Sequence, residues 1–163
     1  MSNLTKLFDL INQANGTSVV PTDFQLSRPT PWAAEGDFRN TEITVTGRLD
    51  KGYTGAKVFY YRRPDLGLLF KDVDVAVVVP HVGASTVDAI TSLVQQFPQL
   101  GLTVDDVDLL SIADDALETT ITATETNLYW SGTCTVRVVR EVIDISTLFT
   151  VHTLDGFNYE LNS

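Results

Sequence analysis

The sequence is poor in several features that would point to a particular class of protein. Its 163 residues include one cysteine, Cys134, and the longest apolar run is the five residues Val75–Val79. One cysteine excludes an internal disulfide framework and suits a reducing compartment; it is usually a small buried hydrophobe, and a bridge between two chains is the alternative. A run of five residues is far too short to span a membrane. Met1–Leu4 has no basic stretch leading into an apolar one, so we expect no secretory signal.

Basic residues are scarce in the second half of the chain. The net charge is −10; residues 1–81 hold nine Lys/Arg and nine Asp/Glu, whereas residues 82–163 hold two and twelve. A phosphate-binding surface needs clustered Lys and Arg, so this balance argues against nucleic acid and against an anionic membrane as partners. The excess of acidic residues in the second half has two possible explanations. It either keeps a surface protein soluble or forms a negative face that contacts a basic neighbour in an assembly.

No segment of the sequence matches a catalytic motif. The two histidines, His81 and His152, have no zinc-ligand spacing, and there is no nucleophile elbow or glycine-rich phosphate loop. Asp105–Asp108 with Asp114 and Asp115 lacks the order of a calcium loop, so a solvated acidic loop is the simpler reading and weak surface calcium the alternative. We therefore predict no cofactor and no catalytic residue, and we disfavour a divalent cation site.

The chain does contain one kind of segment twice. Residues 40–63 and 118–140 each hold two runs in which β-branched and polar residues alternate, separated by an aromatic residue and a glycine (Tyr53–Gly55 and Trp130–Gly132). Such a pattern is typical of a β-hairpin. Repetition at a long period indicates a fold that is built from equivalent units.

A helical pattern precedes each hairpin. Apolar residues recur at helical spacing over residues 4–14 and again over residues 85–97, and the two stretches align without a gap, with Leu10 opposite Leu93. The same register continues to Asp23 and Asp106. The duplication is therefore predicted to cover the whole helix-plus-hairpin unit.

Joining strands complete the predicted architecture. The alternation from Lys71 to Val77 predicts a strand that ends at a sheet edge before Pro80, and Thr150–Leu154 resembles a second joining strand. We predict an α+β fold of two pseudo-equivalent units, residues 1–80 and 81–163. Helices would pack on antiparallel strands around a shared core, in one compact domain.

Candidate contact residues lie in a proline-rich loop, at the hairpin turns and on the joining strand. Trp32 is a natural contact residue if it is exposed; the alternative is that it folds back over the sheet as a local plug. Exposed strand edges invite strand addition by a partner. The candidate interface residues are Pro29, Pro31, Trp32, Tyr53, Val73, Val75, Val77 and Trp130.

Motifs across the chain carry a resemblance to a known family. The segments are Leu10–Asn15, Asn40–Thr46, Gly52–Arg62, Leu100–Val107, Thr120–Ala123, Trp130–Gly132 and Leu154–Tyr159. Together they resemble a repeat-containing family of virion structural proteins from large contractile-tailed bacteriophages. The chain departs from that pattern at Arg63–Asp65 and in the loop over residues 28–36. The resemblance implies a particle component without catalysis and supplies no functional site.

The expected function follows from this resemblance. The chain would be a non-enzymatic virion subunit of the tail, baseplate or fibre region, assembled in the bacterial cytoplasm. It would contact other virion proteins or its own copies. A capsid decoration or head–neck protein is the alternative location. A host-surface glycan-binding module, acting through Trp32, Tyr53 or Trp130, is the alternative of another class.

Overall fold

The computed structural model describes residues 2–142 together with Phe149 and Thr153. It has a mixed α+β fold with three helices and two sheets. The helices are α1 (Asn3–Asn15), α2 (Leu66–Leu69) and α3 (Thr86–Gln96). The strands are β1 (Phe24–Leu26), β2 (Thr30–Pro31), β3 (Thr41–Gly47), β4 (Ala56–Tyr61), β5 (Ala76–Val78), β6 (Glu118–Thr122) and β7 (Thr133–Val139).

Both predicted long helices form, with end signals that the sequence carries. The Ser2 side chain accepts a hydrogen bond from the Thr5 N–H, and Gly16 ends α1 in the left-handed conformation that glycine adopts without strain. At the start of α3 the Asp88 carboxylate accepts from the Ser85 N–H at 2.9 Å, as part of a capping box.

The first sheet contains the first predicted hairpin. Strand β3 is central; β4 pairs with it along one side, and β1 and β2 pair with it along the other, all antiparallel. The buried face of β3 packs against α1, so Ile43 and Val45 join Leu7, Phe8 and Ile11 in a small hydrophobic cluster.

The second sheet contains the second hairpin and the joining strand. Strand β7 is central, β6 pairs with it antiparallel, and β5 pairs with it parallel. The prediction of antiparallel strands throughout is therefore wrong for β5. A parallel pair needs a long crossover connection, and the chain between β5 and β7, which includes α3, provides one. Strand β5 is also shorter than predicted.

The described residues form two hydrophobic clusters instead of the single shared core that was predicted. The larger cluster lies between α3 and the second sheet and extends from Leu66 to Val138. The smaller one lies under α1, with Leu128 from the second half packed against it. Each sheet covers its own helix, and the larger cluster also contains residues from the end of the first unit: Leu66, Phe70, Val75, Val77 and Val79.

A buried polar network joins the two halves. The Arg63 guanidinium donates to Thr41 Oγ1 at 3.0 Å and to the carbonyl oxygens of Asn127 at 2.7 Å and Trp130 at 3.3 Å. The Tyr61 hydroxyl donates to the Leu128 carbonyl at 3.0 Å. Burial lowers the pKa of Arg63 and raises the pKa of Tyr61 to about 12, which the nearby Arg63 charge opposes.

The two halves share details of local structure beyond the order of their elements. A short 3₁₀ turn, Pro21–Asp23 or Val104–Asp106, follows each long helix. The Asp23 carbonyl accepts from the Arg48 N–H at 3.1 Å, and the Asp106 carbonyl accepts from the Thr124 N–H at 3.0 Å. In both halves, the turn therefore places the chain beside the same edge of the hairpin that follows it.

Candidate interaction site

The outer edge of β4 is open in the part of the chain that the structure describes: no described strand pairs with it. The β3–β4 register, with the Gly47 N–H bonded to the Gly55 carbonyl at 2.9 Å, turns the odd-numbered backbone groups of β4 toward β3. The N–H and C=O groups of Ala56, Val58 and Tyr60 therefore point away from the sheet. They have no hydrogen-bond partner among the described residues. This edge is a ready template for another strand.

The edge that the sequence predicted to be open, on β5, is closed by α3. Ser92 Oγ accepts from the Val78 N–H at 2.8 Å, and Gln96 Nε2 donates to the Ala76 carbonyl at 2.7 Å. Val75 and Val77 are 4% and 0% exposed. They are core residues, so their assignment to an interface is wrong: the alternation marked the face packed against α3.

Val73 is the third candidate on the joining segment. It lies before β5 and is about half exposed. It does not belong to a continuous surface with Val75 and Val77, because those two side chains are buried.

An apolar groove lies between α1 and β4. The cavity has a volume of about 400 Å³ and is lined by Leu7, Leu10, Ile11 and Ala14 of the helix and by Phe59 and Tyr61 of the strand. Phe38, at its rim, is 74% exposed. A second cavity of about 280 Å³ continues past Asp9 and Arg62. The open edge of β4 thus borders a continuous apolar depression, as in sites that bind an extended segment by strand addition.

The Trp32 loop covers part of the opposite face of the first sheet. The Trp32 ring stacks on Tyr60 with centroids 4.6 Å apart, and the Arg39 guanidinium lies 5.8 Å from the indole. Arg39 is ion-paired with Asp37 and holds the pKa of that carboxyl below its usual range. Trp32 is half-buried, so the plug alternative describes its packing, while its free edge stays at the surface beside β4.

The prolines of this loop differ in exposure. Pro29 is buried, so its assignment to an interface is wrong. Pro31 is exposed in β2, at the end of the sheet where the Trp32 N–H bonds to the Asn40 carbonyl at 3.0 Å. Pro31 therefore lies beside Trp32 at the surface.

The three alternative glycan-contact residues, Trp32, Tyr53 and Trp130, lie in different places. Trp130 is 4% exposed and belongs to the larger cluster, so its assignment to an interface is wrong. Tyr53 stacks on Phe24 at 4.9 Å beside the Gly47 end of β3, whereas Trp32 lies beside the Thr41 end. Six residues of strand separate those ends by about 20 Å. This arrangement does not form one sugar-binding surface.

The acidic segment of the second half has a structural role at its centre. Asp106 is buried, and its carboxylate accepts from the Thr103 N–H at 2.9 Å and from the side-chain amides of Asn3 and Asn127, each at 2.8 Å. Residues 2–142 with Phe149 and Thr153 contain no group of three or more His, Cys, Asp or Glu placed to hold a metal.

In the same part of the chain no helix has the length and apolar character of a membrane span. Burial raises the pKa of the Cys134 thiol to about 11.

Sequence reasoning missed the residues that line the groove. Leu10 was counted among the core residues of its helix, and β4 was read only as half of a hairpin. An alternating strand looks the same whether its outer edge is covered or open, so no local pattern distinguishes the two cases. The difference appears only in the structure, where Leu10 is 55% exposed and the aligned Leu93 is fully buried.

A family model described as "Family of unknown function (DUF7941)" matches residues 3–163. No curated protein and no solved structure matches the chain.

Proposed function

Since the chain belongs to this family, DUF7941, we propose its function from its surfaces and its sequence resemblance. The protein is a non-enzymatic structural subunit of a contractile-tailed bacteriophage particle, in the tail, baseplate or fibre region. It acts by binding other virion proteins or its own copies. A capsid decoration or head–neck protein is the alternative location within the same class.

The observation that carries the proposal is the open edge of β4 beside an apolar groove. Backbone groups of three alternate residues, Ala56, Val58 and Tyr60, face outward over a six-residue strand. Exposed strand edges are normally short, charged or covered, because they invite association. A long open edge with half-exposed Val58 and Tyr60 beside it suits a protein whose role is to be joined to another protein.

A duplication of one helix-plus-hairpin unit is part of the proposal. Its support is the agreement between the halves: Phe24 lies opposite Gly47 as Val107 lies opposite Ala123, and each arrangement follows a 3₁₀ turn after a long helix. Two equivalent units present equivalent surfaces, which can make the same contact with neighbouring subunits more than once. Such repeated contacts suit a component of a symmetric particle.

The test is recovery of the chain in purified particles. Mass spectrometry of gradient-purified particles would find it at a fixed copy number, and immunogold labelling would place it on the tail or on the head. Leu10→Lys, which puts a charge in the groove, would reduce incorporation, whereas Leu49→Lys, at an exposed leucine outside the groove, would leave it unchanged. Absence of the chain from particles would refute the proposal.

A further inference from the structure

We infer that the groove between α1 and β4 receives a parallel β-strand from a second copy of this chain. This rests on the proposed function and names the partner of the site described above. The inference comes from a comparison of the two halves. The outer edge of the second hairpin strand pairs with no described strand in the first half, whereas in the second half a parallel strand pairs with it.

The occupied place is the outer edge of β7. Strand β7 corresponds to β4, since each is the second strand of its hairpin, and β5 lies on it in parallel. The Arg137 N–H donates to the Val75 carbonyl at 2.8 Å, and the Val79 N–H donates to the Val139 carbonyl at 3.0 Å. Aligning Ala56 with Thr133 puts Tyr60 and Arg62 at the positions of Arg137 and Val139.

The backbone of β4 is oriented to make the same bonds. Tyr60 is one of the residues whose N–H and C=O point away from β3, and Arg62 follows it with the same parity. The Tyr60 N–H and the Arg62 C=O are therefore the groups that a parallel strand would use. In the part of the chain that the structure describes, neither group has a partner.

Helix α1 carries side chains equivalent to those with which α3 holds β5. In α3, Ser92 accepts from the Val78 N–H and Gln96 donates to the Ala76 carbonyl. The aligned residues in α1 are Asp9, which can accept the same hydrogen bond, and Gln13, which is identical to Gln96. Both are exposed, and neither makes a side-chain hydrogen bond within the described residues.

The apolar contact is also matched. Leu93 of α3 is fully buried in the cluster that contains Val77 of β5, whereas the aligned Leu10 of α1 is 55% exposed in the groove. A strand at β4 with an apolar side chain directed at α1 would cover Leu10 as the second half covers Leu93. The groove therefore has outward-facing backbone groups and an apolar floor like those of the occupied site, and Asp9 lines the cavity that continues it.

The chain's own order of connection argues for a second copy as the donor. The sequence after the first hairpin supplies β5 to the second hairpin. The sequence after the second hairpin begins with Leu148-Phe149, as the earlier one begins with Leu69-Phe70, and leads to the predicted joining strand Thr150–Leu154. Of that segment the structure describes only Thr153, which is exposed and belongs to no strand. Donated to the first hairpin of the next copy, that segment would link copies head to tail, in a ring or a filament.

The test combines solution mass with cross-linking of the full-length chain. Light scattering over a range of concentrations would show association of the natural protein and of Leu49→Lys, and a weakening of about tenfold or more for Leu10→Lys. A chain with Ala14→Cys in the groove would be mixed with a mass-tagged chain carrying Thr153→Cys and treated with a short bis-maleimide. Cys134 is buried in both chains.

The expected product is a cross-link between the two different chains. A monomer at all concentrations with no cross-link would overturn the inference. So would a cross-link that forms only within a single chain carrying both cysteines. In either case the proposed function would still be tested separately by particle incorporation of Leu10→Lys, because another virion protein could fill the same groove.

Discussion

Removal of the Arg63 guanidinium should uncouple the two halves of the fold. Arg63 is 8% exposed and crosses from the first sheet to the Asn127–Trp130 turn of the second half. The substitution Arg63→Ala would remove three hydrogen bonds and leave the carbonyls of Asn127 and Trp130 without these donors. The hydrophobic cluster of each half would remain, because Arg63 belongs to neither.

The expected loss follows from the geometry. Two of the three bonds, to Thr41 and Asn127, are 3.0 Å or shorter, and hydrogen bonds from a charged donor contribute about 1.5–3 kcal/mol each. Burial of the guanidinium opposes this gain by several kcal/mol. We therefore expect Arg63→Ala to reduce the free energy of unfolding by about 2–4 kcal/mol. Arg63→Lys should recover only part of it, since an ammonium lacks the planar fork of donors.

The assay is urea unfolding followed by circular dichroism and by tryptophan fluorescence. The natural protein should unfold in one transition by both probes, whereas the fluorescence of Arg63→Ala should show two transitions, because the two tryptophans lie in different halves. The matched control is Arg62→Ala, which removes the neighbouring, exposed arginine and should cost less than about 0.5 kcal/mol. Equal stability of Arg63→Ala and Arg62→Ala would refute the assignment of Arg63 as the junction.

Three further predictions concern single groups. The pKa of Tyr61 in the folded protein, about 12, lies above its ordinary value of 10.0. The contribution of Tyr61 to stability is therefore complete below pH 10 and is lost as the pH rises toward 12. Denaturant unfolding should show this decline in stability, and Tyr61→Phe should reduce the decline. The Cys134 thiol, with its pKa raised to about 11, should resist alkylation at pH 8 in the folded protein and react within minutes in urea; rapid reaction of the folded protein would contradict its burial. Gly132→Ala should lower the free energy of unfolding by about 2–3 kcal/mol, since Gly132 has a φ of +77° and an added Cβ would collide with the Asp65 carboxylate. Gly16→Ala, with a similar φ and open space, should cost only about 1 kcal/mol, and equal losses for both glycines would contradict the role of the collision.

The elements with strong local periodicity were predictable, and their long-range partners were not. The two long helices and both hairpins were found because a repeat of 3.6 or 2 residues is a property of the segment itself. The parallel placement of β5 depends on the route of the crossover through α3, which no pattern in residues 71–79 contains. Trp32 is half-buried whereas Trp130 is enclosed by the larger cluster, and this difference depends on residues that are distant in the sequence.

The candidate site illustrates the same division. The sequence analysis predicted that a strand edge would be the contact surface. It assigned that edge to β5, because apolar and polar residues alternate more regularly there than in β4. The structure closes that edge with Ser92 and Gln96 and leaves β4 open. The sequence alignment of the helices pairs Asp9 and Gln13 with those two residues, but only the structure shows that Ser92 and Gln96 bind a strand edge.

Amide hydrogen exchange along β4 tests the central claim most directly, because the strand contains its own controls. The Phe59 N–H faces β3 and should exchange slowly both in the dilute protein and in the assembled state. The Tyr60 N–H faces outward and should exchange rapidly in the dilute protein, then become protected when the protein associates or joins the particle. If the Tyr60 N–H still exchanges rapidly in the assembled state, no strand is added at β4, and the account of this site is wrong.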